Sequence, residues 1–211
     1  MDFTGFEVRK CPPTAMYIPN FITSEEEQRI LSHIERTPKP RWTQLLNRRL
    51  VNYGGVPHPN GMIAEEIPEW LQSYVDKVNN LDGPLFYPII STISCGAHTV
   101  LEFAKREGTT AEEGDASVGD GDGDGSQAGR VVLFKLLLEP RSLLILKDTL
   151  YSDYLHSIAE TKEDVLCDRI CNYDLCETTY KMGDHLVRRA PRISLTIRNV
   201  PKTSKMKLKF C

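Results

Sequence analysis

The sequence lacks any apolar run long enough to cross a membrane. Its longest is residues 131–138, interrupted by Lys135, whereas a spanning helix needs roughly 20 residues. The first ten residues, MDFTGFEVRK, lack the basic-then-apolar order of a secretory leader. Cysteine is scarce, six in 211 residues. That is too few for a disulfide scaffold and points to a reducing compartment. A composition of 40% hydrophobic and 26% charged residues excludes disordered, collagen-like and coiled-coil chains. What is left is one soluble, intracellular domain over residues 1–211.

Charge of one sign is missing from two stretches. Residues 111–125 hold six acids (Glu112, Glu113, Asp115, Asp120, Asp122, Asp124) and no base, so without them the formal charge of −3 becomes +3. Residues 188–211 carry eight Arg and Lys and no acid. A basic end suits an anionic partner such as nucleic acid, because it neutralises phosphates and releases counterions. A solvated tail has the same composition, and both readings stay open. Residues 108–129 contain seven of the fourteen glycines and no aromatic. They read as a disordered, acidic, Gly-rich insertion joining two strands, and 201–211 as a basic tail.

Thr23 or Ser24 can cap a helix whose first turn is Glu25, Glu26 and Glu27, since each has a glutamate three residues on. Ile30, Leu31 and Ile34 share one face of it, and Pro38 and Pro40 end it. The stretch RWTQLLNRRLVNY (41–53) mixes basic and aromatic residues and reads as extended structure turned at Gly54-Gly55. Pro68 opens a second helix with the stripe Trp70, Leu71, Tyr74, Val75, Val78. That helix should stop at Asn79-Asn80, ahead of an Asp82-Gly83-Pro84 turn. The β-branched stretch 89–103 suggests a strand pair. Two more strands are expected at 131–138 and 142–146, joined through Glu139-Pro140-Arg141, and a last one at 193–197. Helices first and strands after imply a mainly β sandwich or jelly roll.

Arg192 and Arg198 are six apart, so both project from one face of the last strand with Ser194 and Thr196 between them. Two guanidinium groups on one buried face call for anions, and a dicarboxylate would supply one for each. Two edge arginines pointing into water have the same spacing. His156 follows a Tyr-rich turn at a strand rim, suited to a metal ligand or a general base.

Three stretches carry a likeness: LLEPRSL (137–143), YLHSI (154–158) and RISLTIR (192–198). Together they resemble the AlkB family of iron- and 2-oxoglutarate-dependent dioxygenases. PKPRWTQLLNRRLVNYGGVPHPNGM, PEWLQSYVDKVNNL and DGPLFYPIISTISCGAHTVLEF extend the likeness to nearly the whole chain. The resemblance implies a double-stranded β-helix with Fe(II) at one mouth, with 2-oxoglutarate and O₂ as cosubstrates. It implies oxidative demethylation of N-alkylated bases in DNA or RNA. Asp82 and His156 match metal ligands. Arg192 matches the arginine that pairs with the distal carboxylate of 2-oxoglutarate, and Arg198 a second one nearer the metal, with Ser194 and Thr196 lining the same cosubstrate face. Trp42, Arg48, Arg49 and Tyr53 match a lid over the nucleotide base. The implied partner is single-stranded or alkylated nucleic acid, met by a monomer in nucleus and cytoplasm.

One departure is central. The family's His-x-Asp motif needs a histidine two residues before Asp82, and that position is Asn80. Leu81 joins Asp82 directly, so the strand and the Asn-x-Tyr element that precede the motif in the family are missing too. The fold is therefore expected to lack one or two strands. Two protein ligands in place of three are too few to hold iron firmly, so the chain is expected to be impaired. A non-catalytic, nucleic-acid-binding form of the same fold is the other reading. His98 is a conceivable substitute ligand.

Two further signals carry less. GDGDGDG (119–125) opens like a calcium loop, but counting from Asp120 puts Val131 where a bidentate glutamate is needed. Cys167, Cys171, Cys176 and His185 have no standard zinc spacing, which favours free thiols.

Overall fold

Two antiparallel sheets pack face to face, and the alternation within their strands decides which face does what. The computed structural model describes residues 4–12, 14–58, 61–82, 89–106, 131–200 and 203–204. The elements run β1 (Ala15–Ile18), α1 (Ser24–Glu35), β2 (Thr43–Gln44), β3 (Arg49–Leu50), β4 (Gly55–His58), β5 (Gly61–Ala64) and α2 (Glu69–Asp82). Then follow β6 (Ile89–Gly96), β7 (Thr99–Lys105), β8 (Val132–Leu138), β9 (Leu143–Lys147), α3 (Thr149–Ser152) and β10 (Tyr154–Ile158). The chain closes with β11 (Glu163–Val165), β12 (His185–Val187), β13 (Arg192–Arg198) and β14 (Thr203–Ser204).

The first sheet has the order β1-β9-β6-β13 and the second β10-β7-β8. On the first sheet, Leu143, Ile145, Ile93, Cys95 and Leu195 face outward and are covered by Ile30 and Ile34 of α1 and by Leu71, Tyr74 and Val78 of α2. Its other face presents Ala15, Tyr17, Leu144 and Leu146 to Leu101, Phe103, Phe134, Leu136 and Leu138 of the second sheet. The second sheet's outer face, through Val100 and Leu137, packs on Leu166, Ile170 and Leu186 around the β11–β12 hairpin. Each fully buried aliphatic side chain in these layers contributes about 1.5–3 kcal/mol.

Thr23 is the residue that caps α1. Its hydroxyl accepts from the Glu26 amide at 3.2 Å, and the Glu26 carboxylate accepts from the Thr23 amide at 2.8 Å. The second helix runs past Asn79-Asn80 to Asp82. Asp82 is the last residue of that helix, whose final turn Val78 and Leu81 pack on the core, and the rest of the expected Asp82-Gly83-Pro84 turn lies outside the described residues.

The stretch 89–103 does form two strands, but they do not pair with each other. β6 pairs with β9 and β13, while β7 pairs with β8 and β10. The corner between them is Gly96, at φ +80°, where a Cβ would come 2.3 Å from the Pro191 carbonyl oxygen. Glu27 of α1 pins this corner, its Oε1 accepting from the Gly96 amide at 2.9 Å. Glu139-Pro140-Arg141 likewise carries the chain from the second sheet to the first, with Arg141 at φ +67°. The polar stretch 160–189 contains the β11–β12 hairpin as well as irregular chain. Residues 107–130 and 205–211, the acidic insertion and most of the basic tail, lie outside the described residues.

The sandwich is finished differently at its two sides. Beside β8, Asn172 acts as a surrogate strand, its side chain accepting from the Leu137 amide and donating to the Leu137 carbonyl, both at 2.8 Å. Beside β1, the Val8 amide donates to the Ala15 carbonyl at 3.0 Å. At the opposite side, β13 and β10 are the terminal strands of their sheets among the described residues.

Candidate functional site

The inner face changes character as it approaches β13. Register places Ser94 opposite Ser194, Thr92 opposite Thr196, Gly96 opposite Arg192 and Ile90 opposite Arg198. Residues opposite one another share a face, so Arg192, Ser194, Thr196 and Arg198 do project together, as their spacing requires. The face is not uniformly buried, however. Ser194, Thr196 and Arg198 are exposed and Arg192 is half-buried, because β13 is a terminal strand and only its Arg192 end is enclosed.

His156 belongs to the middle of β10, not to a rim turn. It pairs with Phe103, its ring 6.2 Å from that of Phe103, so it projects from the inner face of the second sheet. His156 is nonetheless exposed. Its pKa is nevertheless lowered, first by desolvation and then by the charges of Arg48 and Arg192. The shift favours the neutral imidazole, the form that a ligand role requires. Arg192 projects from the inner face of the first sheet and His156 from the inner face of the second, so the two face the same interlayer space.

Three polar atoms on these inner faces are buried without a partner: Arg192 Nε, Ser94 Oγ and Thr99 Oγ1. Thr99 lies on the inner face with Leu101 and Phe103, just past the Gly96 corner. Burial lowers the Arg192 pKa to about 10. A partly enclosed guanidinium whose Nε has no partner, on the same face as the unpartnered Ser94 hydroxyl, fits one carboxylate of the dicarboxylate that the resemblance implies. Ser94 and Thr99 carry no signal above; for Ser94 the available one was the pair of hydroxyls on alternate residues Thr92 and Ser94, which strand alternation puts on one face.

Iron does not fit in the same way. Among the described residues no three of His, Cys, Asp or Glu come together. Asp82 ends α2, which packs on the outer face of the first sheet, whereas His156 lies on the inner face of the second. His98 is engaged elsewhere. Its Nε2 lies 3.3 Å from the Leu186 carbonyl and 3.5 Å from Asp164 Oδ2. The thiols also diverge: Cys171 donates to the Lys10 carbonyl at 3.2 Å and Cys176 to the Asn172 carbonyl at 3.3 Å. His185 instead faces Glu163, 3.2 Å away.

The aromatic residues at 42–53 are anchored rather than open. Trp42 donates its indole N–H to the Thr37 carbonyl at 3.3 Å and packs against the core, while Arg49 lies over its ring at 4.3 Å. Tyr53 shares a hydrogen bond with Thr37 at 3.1 Å, meets the Trp70 ring edge-on and carries Arg41 at 5.3 Å. Arg48 and Arg49 are exposed. The assembly is a platform of aromatics carrying cations. The cavity at Glu139, Arg141 and Tyr180, about 340 Å³, is separate, and its Glu139 is already held by Tyr17 and by the Glu177 amide.

No family model matches the chain. It is 39% identical to a Danio rerio protein named "Probable RNA/DNA demethylase ALKBH6", across 96% of this chain and 92% of that relative. The aligned length is 228, which exceeds the 211 residues of this chain by 17. At least that many positions of the relative therefore have no counterpart here.

Proposed function

We propose a function on the premise that this chain belongs to the AlkB family. It is an AlkB-type demethylase fold that binds a dicarboxylate cosubstrate and alkylated nucleic acid, and its iron site is incomplete. The fold type is the double-stranded β-helix, with β13 and β10 as terminal strands among the described residues. The relative's name as an RNA/DNA demethylase supplies the substrate class.

The observation that carries this reading is the unpartnered Arg192 Nε on the inner face of the first sheet, opposite the inner face from which His156 projects. A guanidinium in that position is costly unless an anion completes it. 2-Oxoglutarate has the right charge, and the exposed arginines of the platform suit a phosphate backbone. His156 supplies one neutral ligand, and nothing described supplies the set of three that a facial site needs. The shortfall against the relative supports a lost internal segment as the cause.

Metal content decides between enzyme and remnant. Purified chain should hold far less than one iron per molecule, yet show a thermal shift with 2-oxoglutarate that survives chelation. The same chain with the missing segment restored should take up one iron and demethylate an N-methylated oligonucleotide. Tight, stoichiometric Fe(II) binding by the chain as it stands overturns the incomplete site. A non-catalytic, nucleic-acid-binding role is the second reading, favoured by the intact platform, and there affinity should depend on salt but not on chelation.

A further inference from the structure

The strands that carry His156 and Arg192 belong to different sheets, and their neighbours β7 and β6 are joined at the Gly96 corner. β13 enters beside that corner, with Arg192 opposite Gly96. β10 leaves beside it, with Ile158 opposite Leu101. From there the chain departs through residues 159–191 before it returns as β13. Among the described residues, strand pairing does not tie the exit of β10 to the entry of β13.

Arg188, four residues before Arg192, makes that tie. Its Nη1 donates to the Ala159 carbonyl, one residue past β10, at 3.0 Å. Its Nε and Nη2 donate to the two carboxylate oxygens of Asp164, both at 2.6 Å. The corner is drawn into the same group. His98 Nε2 lies 3.5 Å from Asp164 Oδ2 and 3.3 Å from the Leu186 carbonyl, and the Ala97 amide donates to the Pro191 carbonyl at 3.4 Å. The exit of β10, the corner and the approach to β13 thus converge on the Asp164 carboxylate.

Stability does not account for this arrangement. The side chains of Asp164 and Arg188 are 5% and 17% exposed, and a pair of charges so enclosed is often no more stabilising than apolar residues of the same volume. What a bidentate pair adds is geometry, because a planar guanidinium meets a carboxylate in a fixed orientation. The backbone held in this way is the segment that leads into Arg192, whose own Nε has no partner to hold it. We propose that Arg188 and Asp164 are positioning residues for Arg192, holding its guanidinium in register with the inner face of β10, where a dicarboxylate is to be met. This rests on the reading of Arg192 as the 2-oxoglutarate arginine.

The test uses the full chain and 2-oxoglutarate, read by calorimetric titration and by the Nε–Hε NMR signal of Arg192, which Arg192→Lys identifies by removing it. In wild type that signal should move when 2-oxoglutarate is added. The double variant Asp164→Leu, Arg188→Met removes both charges together and should melt close to wild type. It should nevertheless bind 2-oxoglutarate at least about tenfold more weakly, with the Arg192 signal already displaced before ligand is added. Arg188→Lys keeps the charge but cannot span both Asp164 oxygens and the Ala159 carbonyl, so it should show the same loss and carries the comparison if the double variant does not fold. Wild-type affinity, or an unmoved Arg192 signal, in a folded variant overturns the positioning role. Loss of the fold in both variants assigns the pair to stability and overturns it too. Failure of the wild-type chain to bind 2-oxoglutarate overturns the cosubstrate reading, and the positioning role with it.

Discussion

The guanidinium of Arg49 lies 4.3 Å from the centroid of the Trp42 ring, so one face of the indole is covered before any nucleobase arrives. Trp42 therefore orients a cation more than it offers a stacking surface. Arg49→Ala should cost about 0.5–1 kcal/mol of stability, the scale of an exposed cation–π contact. It should also lower the slope of log affinity against log salt by about 1. Anisotropy titrations over a range of salt check this. An unchanged slope removes Arg49 from the phosphate contacts.

Arg192 should be a residue whose removal does not harm the fold. Its charge is disfavoured by burial at every pH below about 10, and its Nε has no partner. Arg192→Leu should leave stability unchanged or raise it by about 1 kcal/mol, while abolishing stabilisation by 2-oxoglutarate. Thermal melts with and without the dicarboxylate read both effects. A large loss of stability in the variant means that Arg192 is held by something in the fold.

Asp164 should set the acid limb of stability. Burial alone pushes its pKa up, but Arg188 and His98 outweigh burial, and the net shift is downward. Arg188 donates to both carboxylate oxygens at 2.6 Å, and a third bond runs from Arg188 to the Ala159 carbonyl at 3.0 Å. With the folded value below the unfolded one, this stabilisation is present above about pH 4 and is lost as pH falls through the folded value. Asp164→Asn should cost about 3–5 kcal/mol at pH 7, because Arg188 is left buried without its anion. Urea midpoints measured from pH 7 down to pH 3 should fall for wild type and stay flatter for the variant.

Gly96→Ala should fail at the corner between the sheets. The residue has φ +80°, and the added Cβ would meet the Pro191 oxygen at 2.3 Å. Strain and displaced backbone together should exceed about 2 kcal/mol. Chemical denaturation measures it, and a variant within experimental error of wild type shows that the corner relaxes freely.

Much of the local structure could be read from residue order. The Thr23 cap, the apolar stripe of α2 and the alternation of β13 each follow from contacts a few residues apart, and each is present. The failures share one cause. The stretch 89–103 has the pattern of a hairpin, yet Gly96 sends its two strands to different sheets. His156 reads as a rim residue, yet strand pairing with Phe103 puts it mid-strand. Periodicity reports which face a side chain takes, but not which strand lies opposite.

The sequence by itself determined that β13 would present Arg192, Ser194, Thr196 and Arg198 on one side, because strand alternation permits nothing else. It also determined that position 80 carries Asn80 where the resemblance calls for a histidine. Only the tertiary structure decided that Arg192 would be enclosed and Arg198 open, since enclosure depends on the Gly96 corner and on β13 ending its sheet. Only packing, too, set the inner face of β10, with His156, against the inner face of the sheet that carries Arg192. The basic end and the acidic insertion remain matters of composition. The site depends on which strands become neighbours, and that depends on the balance of the whole core rather than on any one segment.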